Sequence, residues 1–117
     1  MLIELLEKLR KRVPLPSMVQ VVHGGGSSLD WIAQVLAHHM GMSTEVHHAH
    51  WQRDGERAGE IRNQKMVNLG AKMMFFFPLD EDCEDALDCA TRAEKAGIPV
   101  MTYDSESGKY VKGVHRA

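Results

Sequence analysis

A five-residue run, Met18-Val19-Gln20-Val21-Val22, breaks off abruptly into His23-Gly24-Gly25-Gly26-Ser27-Ser28. Apolar residues then recur at helical spacing, at Leu29, Ile32, Ala33, Leu36 and Met40, before Gly41. A β-branched run of this length reads as a buried strand, and the periodic stretch as an amphipathic helix closed by glycine. A strand fed through glycines into a helix constrains the fold strongly, because the helix must carry the chain back for a parallel neighbour.

The same alternation runs along the rest of the chain. Thr44 to His48 reads as a strand, Glu56 to Leu69 as a helix ending at Gly70, and Met73 to Phe77 as an apolar strand broken by Pro78. Cys83 to Ala96 is an alanine-rich helix before Gly97, and Ile98 to Tyr103 a last strand. Ahead of all this, Leu2, Leu5, Leu6, Leu9 and Val13 mark a helix over residues 1–13, stopped by Pro14. Residues 104–117 read as a loop and a loosely held tail. The order predicts an α/β fold: a Rossmann-like three-layer sandwich, a mostly parallel sheet of about four strands with helices on both faces. No repeat or internal boundary divides the 117 residues, so the expectation is one domain over 1–117.

Ligands of such sheets bind beyond the carboxyl ends of the strands, which directs attention to three segments: Gly24 to Ser28, Ala49 to Glu60 and Pro78 to Asp82. In the first, glycines permit close backbone approach, a helix N-terminus offers amides, and Ser27 or Ser28 can cap it. That chemistry suits a phosphate; the alternative is a tight turn with no ligand. Gly24 and Gly26 fit the first two glycines of a dinucleotide loop, but Leu29 stands where the third belongs. In the second, Arg62 and Asn63 near a helix start can grip phosphate, ribose or a base edge. Asp80, Glu81, Asp82, Glu84, Asp85 and Asp88 form a dense acidic run, explained first by the preference of carboxylates for a helix N-terminus.

The composition sharpens what is excluded. A net charge of −2 does not favour nucleic-acid binding driven by phosphate neutralisation. Two cysteines, Cys83 and Cys89, are too few for a disulfide scaffold and read as reduced thiols of a cytoplasmic protein. No stretch has the roughly 18 apolar residues of a membrane span. Seven histidines, six of them from His23 to His50, invite a metal hypothesis. Their spacing does not support one, since no Cys-x-x-Cys or His-Glu-x-x-His pattern occurs. The expectation is no metal and no cofactor, with His23 and His50 bordering the ligand loops.

Taken together, these segments resemble the YspA-like proteins, a YpsA-related branch of the SLOG (SMF/DprA–LOG) superfamily. His23-Gly-Gly-Gly-Ser-Ser-Leu-Asp30-Trp-Ile-Ala33 is similar to that family's Gly-Gly-Ala-x-Gly-Ala-Asp-x-x-Ala stretch. Ala49-His50-Trp51, Gly55, Ala58-Gly59, Arg62-Asn63 and Met66 follow its Ala-x-Trp…Gly…Ala-Gly-x-x-Arg-Asn-x-x-Met run. Phe76-Phe77-Pro78 and Ala96-Gly97-Ile98-Pro99-Val100 occupy two further family positions. The resemblance spans about Val19 to Thr102 and implies a binding module for a nucleotide or nucleotide-derived ligand. Its implied contacts are Gly24, Gly25, Asp30, Trp51, Gly59, Arg62 and Asn63, with Gly26, Ser27, Ser28 and Pro78 completing the candidate site. The family's second glycine loop is replaced here by Pro78-Leu79-Asp80-Glu81-Asp82-Cys83, which argues against LOG-type catalysis. The family's usual opening strand is also missing before the first helix. Two other readings stand beside the binding module: a nucleotide N-glycoside hydrolase using Asp30 or an acid from Asp80 to Glu84, and a ligand-free homo-oligomeric scaffold.

Overall fold

Two of the three strand–helix–strand crossovers in the sequence produce a parallel strand pair, and the two pairs belong to separate sheets. The computed structural model describes residues 1–79 and 83–115. The chain divides into two compact units, Met1–His48 and Ala49–Ala117.

In the first unit, helix α1 (Leu2–Lys11) buries Leu2, Leu5 and Leu6, the positions its three-to-four-residue spacing brings onto one face. Pro16–Met18 forms a 3-10 turn, because Pro16 sets the first dihedral of the turn and lacks an amide to donate. Strand β1 (Gln20–His23) therefore starts later than the β-branched run implies. Helix α2 (Ser28–His39) follows, and strand β2 (Ser43–Val46) pairs in parallel with β1, Gln20 opposite Ser43 and His23 opposite Val46. Leu6, Ala37 and Met42 form the buried centre, with Leu9, Val19, Val21, Leu36 and Met40 packed against it.

The second unit opens with a short helix α3 (Trp51–Asp54) and a 3-10 turn at Gly55–Arg57, which lead into α4 (Ala58–Leu69). Strand β3 (Met74–Phe76), helix α5 (Glu84–Lys95), strand β4 (Val100–Asp104) and strand β5 (Lys109–Lys112) complete it. β3 pairs with β4 in parallel, and β5 lies antiparallel on the other edge of β4, Tyr103 opposite Tyr110. Val67, Phe76, Cys83, Ala90, Ala93 and Val100 make the core here, so α4 and α5 are packed on one sheet face. Alternation along the strands sends Phe75, Phe77, Tyr103 and Tyr110 to the opposite face. Their rings meet there, with Tyr103 and Tyr110 centroids 5.4 Å apart and Phe77 5.7 Å from Tyr103.

The expected Rossmann-like sandwich with one mostly parallel sheet of about four strands is thus corrected. The fold is α+β, with a two-stranded parallel sheet β1-β2 and a separate three-stranded mixed sheet β3-β4-β5. The physical reason is that crossovers dictate only which neighbours run parallel. Joining the pairs into one sheet needs a further ladder, and none links them among the described residues. On the other side, β4 spends its second edge on β5. Residues 109–112 are held rather than loose: the Gly113 amide donates to the Val100 carbonyl at 2.8 Å, and the Thr102 hydroxyl to the Gly113 carbonyl at 2.7 Å. No described helix is long and apolar enough to cross a membrane.

Candidate functional site

The candidate residues fall into two groups, one in each unit. In the first unit the chain leaves β1 at His23 and turns through Gly24, Gly25 and Gly26. Gly25 has φ +65°, the left-handed region that a side chain resists. A Cβ added there would also stand 3.1 Å from both Trp31 Cζ2 and Val46 Cγ2, so the turn demands glycine twice over. Ser27 caps α2, its Oγ accepting the Asp30 amide at 3.2 Å. Asp30 answers, with Oδ2 accepting the Gly26 amide at 3.0 Å. This reciprocal bonding, a capping box displaced by one residue, fixes the loop without any ligand.

The loop also carries an aromatic wall that the sequence does not announce as part of the site. The Trp31 indole N–H donates to the Gly25 carbonyl at 3.2 Å, which pins the ring to the turn while 41% of the residue stays exposed. The His23 ring meets Trp31 edge-on at 5.3 Å, and the His48 ring lies tilted against it at 6.1 Å. In the sequence Trp31 stands inside the stretch similar to the YspA-like proteins, with no role assigned to it. The available signal was its position as the fourth residue of α2, where a long side chain leans back over the preceding turn. What the arrangement offers chemically is first-turn amides at Ser28 and Leu29 for an anion, the Asp30 carboxylate for a hydroxyl donor, and an indole face for a ring.

The second group is built differently. Arg62 and Asn63 do not project freely near a helix start; they are 6% and 1% exposed. Arg62 Nε donates to Asn63 Oδ1 at 2.8 Å, and its guanidinium also pairs with the Asp85 carboxylate. The Asn63 amide donates to the Asp85 backbone carbonyl at 3.0 Å, to Asp85 Oδ1 at 3.1 Å and to Asp88 Oδ2 at 3.0 Å. Arg92 completes the network, reaching Asp88 Oδ2 at 2.9 Å and Gln64 Oε1 at 3.0 Å. Burial pushes the Asp88 carboxyl up, but hydrogen bonds from Arg92 and Asn63 outweigh it and hold the group below the usual carboxylate value. Asp88 in turn raises the Arg92 guanidinium.

Gly59 belongs to this group because a Cβ there would lie 3.0 Å from Asp85 Oδ1 and 3.7 Å from Trp51, whose own ring is exposed. Pro78 sits in a tight turn after β3, the Leu79 amide donating to the Phe77 carbonyl at 2.9 Å. Asp80, Glu81 and Asp82, three of the acids considered for hydrolysis, lie outside the described residues. Two later acids of that run, Asp85 and Asp88, have a duty that a helix-dipole argument misses, since they receive Arg62, Asn63 and Arg92. The histidines are dispersed among separate partners: His23 with Gln34, His38 with Thr44, His47 with Glu45 and His115 with the Lys112 carbonyl. Among the described residues, no three His, Cys, Asp or Glu side chains gather as a metal site would require.

Fold and site thus define a small α+β protein with an anchored glycine turn in one unit and a closed Arg–Asn–Asp network in the other. No family model matches the chain, and no solved structure matches it. It is similar to the Gene 61 protein of Mycobacterium phage D29, 38% identical over 93 residues, which cover 75% of this chain and 74% of the phage protein. The chain belongs to the family of that phage protein.

Proposed function

We propose that the protein is a binding module for a nucleotide or nucleotide-derived ligand, engaged at the Gly24–Ser28 loop. The observation that carries this reading is the Trp31 indole, exposed and tied by its own N–H to the loop that offers helix N-terminal amides. A phosphate takes the Ser28 and Leu29 amides, where the helix end favours negative charge. A base stacks on the indole, an interaction tolerant of base identity. Asp30 accepts from a ribose hydroxyl, a contact that the sugar of a nucleotide supplies. The similarity of residues 23–33 and 49–66 to YspA-like proteins supports the same ligand class. Cys83 and Cys89, which are not joined in a disulfide, fit a cytoplasmic setting, where nucleotides are abundant and thiols stay reduced.

Calorimetry with ADP-ribose, NAD and AMP tests the proposal. Binding of at least one is expected, weakened about tenfold or more in Trp31→Ala by the loss of stacking. No heat with any of the three, or a Trp31→Ala variant that binds like the parent, overturns it. Release of free base during incubation would replace the binding module with a hydrolase.

A further inference from the structure

His23 ends β1 with its ring buried, 6% exposed, yet both ring nitrogens are engaged. Nδ1 lies 3.1 Å from the Gly25 amide nitrogen, and Nε2 lies 2.6 Å from Gln34 Oε1. An amide N–H can only donate, so Nδ1 must hold a lone pair. The proton of a neutral imidazole then sits on Nε2, where it donates to an amide oxygen, as the Gln34 contact requires. The two contacts agree on one tautomer. The Gly25 contact also has the form of an Asx turn, a side-chain acceptor at one residue closing on the amide two residues later. Here an imidazole does the work of an asparagine carbonyl, and the residue it holds is the glycine at φ +65°.

We propose that His23 is the positioning residue of the glycine turn, working only as the neutral Nε2–H imidazole, so that protonation releases the Gly25 amide and opens the turn. A proton on Nδ1 converts the acceptor into a donor facing another donor. That contact turns from attractive to repulsive, while the Nε2–Gln34 bond survives. On α1, whose Leu6 lies in the cluster that Val21 packs against, the ionisable groups are Glu4, Glu7, Lys8, Arg10 and Lys11. On α2 they are Asp30, which accepts from Gly26, and His38 and His39 at the far end of the helix. At β2 they are Glu45 and His47, which pair with each other at 2.9 Å, and His48 beside Trp31. None of the contacts formed by these groups supplies a second acceptor for the Gly25 amide. The step from an opened turn to a lost ligand rests on the binding reading above; the proton-dependence of the turn does not.

The test needs no ligand. The full chain, labelled with 15N, is titrated by NMR from about pH 8 to about pH 5, reading the imidazole nitrogens of His23 and the exchange protection of the Gly25 amide. The Nε2–H tautomer is expected at the upper end, and Gly25 protection is expected to fall about fivefold or more in step with proton uptake by His23. In His23→Asn, a side-chain carbonyl replaces Nδ1 and has no proton to gain, so Gly25 stays protected throughout. An Nδ1–H tautomer, a His23 that takes up no proton over the range, or Gly25 protection that ignores His23 titration overturns the proposal. So does a His23→Asn variant that loses protection at the same midpoint as the parent. If nucleotides fail to bind while these signals move as described, the binding reading falls and this one stands.

Discussion

The glycine turn after β1 and the Arg62–Asn63 pair on α4 both carry marks of a ligand site in the sequence, yet they fold to different outcomes. At the turn, Gly26, Ser27 and Ser28 stay exposed and Trp31 shows a large part of its ring. At the pair, both side chains are buried, Arg62 donating to Asn63 and Asp85 and Asn63 to Asp85 and Asp88. The lesson is that polar residues suited to grip a ligand are equally suited to grip the neighbouring helix. What separates the two cases is whether the chain supplies complementary acids at the right place. Asp85 and Asp88, three residues apart on α5, do so for α4; Asp30 does so only for one amide of the turn.

The largest effect that could break this contrast is at Asn63. Asn63→Ala strands the groups it joins and is expected to cost about 2–4 kcal/mol, measured by denaturant melting. A loss below about 0.5 kcal/mol would mean the network is not closed, and Arg62 would return as a ligand contact. The two glycines give the next test. Gly25→Ala forces a side chain into a left-handed residue and against Trp31 and Val46, an expected cost of about 1–3 kcal/mol. Gly59→Ala meets the end of the Asp85 side chain, which is half exposed and can yield, and it gains helix propensity, so a change within about 1 kcal/mol is expected. Equal costs at the two sites would erase the distinction.

The smallest effect is electrostatic. Because the folded-state value of Asp88 is depressed, its contribution to stability is complete above the ordinary value of 3.8 and is lost as pH falls through the lower native one. Comparing acid unfolding of the parent and Asp88→Asn should show a shallower decline in the variant at the acid end. Identical profiles would detach Asp88 from the network.

Much of the local structure was legible. The leucine spacing in residues 2–9 gave α1, and Gly41 and Gly70 closed α2 and α4 where the apolar periodicity ended. Both parallel pairs followed from the strand–helix alternation. Three things were not legible because they depend on contacts distant in sequence. The partition into two sheets is decided by ladders between strands, which periodicity along one strand cannot report. Strand β5, Lys109-Tyr110-Val111-Lys112, is short and half lysine, so its pattern resembles a solvated loop until Tyr110 meets Tyr103. The closure of the Arg62 network required knowing that α4 and α5 lie side by side. At the turn, the glycine, the serine cap and Asp30 were all visible, while Trp31 and the acceptor role of His23 were not.

Strand β5 has a further bearing on how the protein behaves at high concentration. An unpaired edge on β4 would present a row of amides and carbonyls, a template on which another molecule's strand could assemble. β5 occupies that edge and, in its place, turns outward a strand of only four residues with an exposed lysine at either end. Charge at both ends of so short a strand disfavours the next addition. The segment that reads as a trailing loop is, in this sense, the guard that stops the sheet from growing on that side.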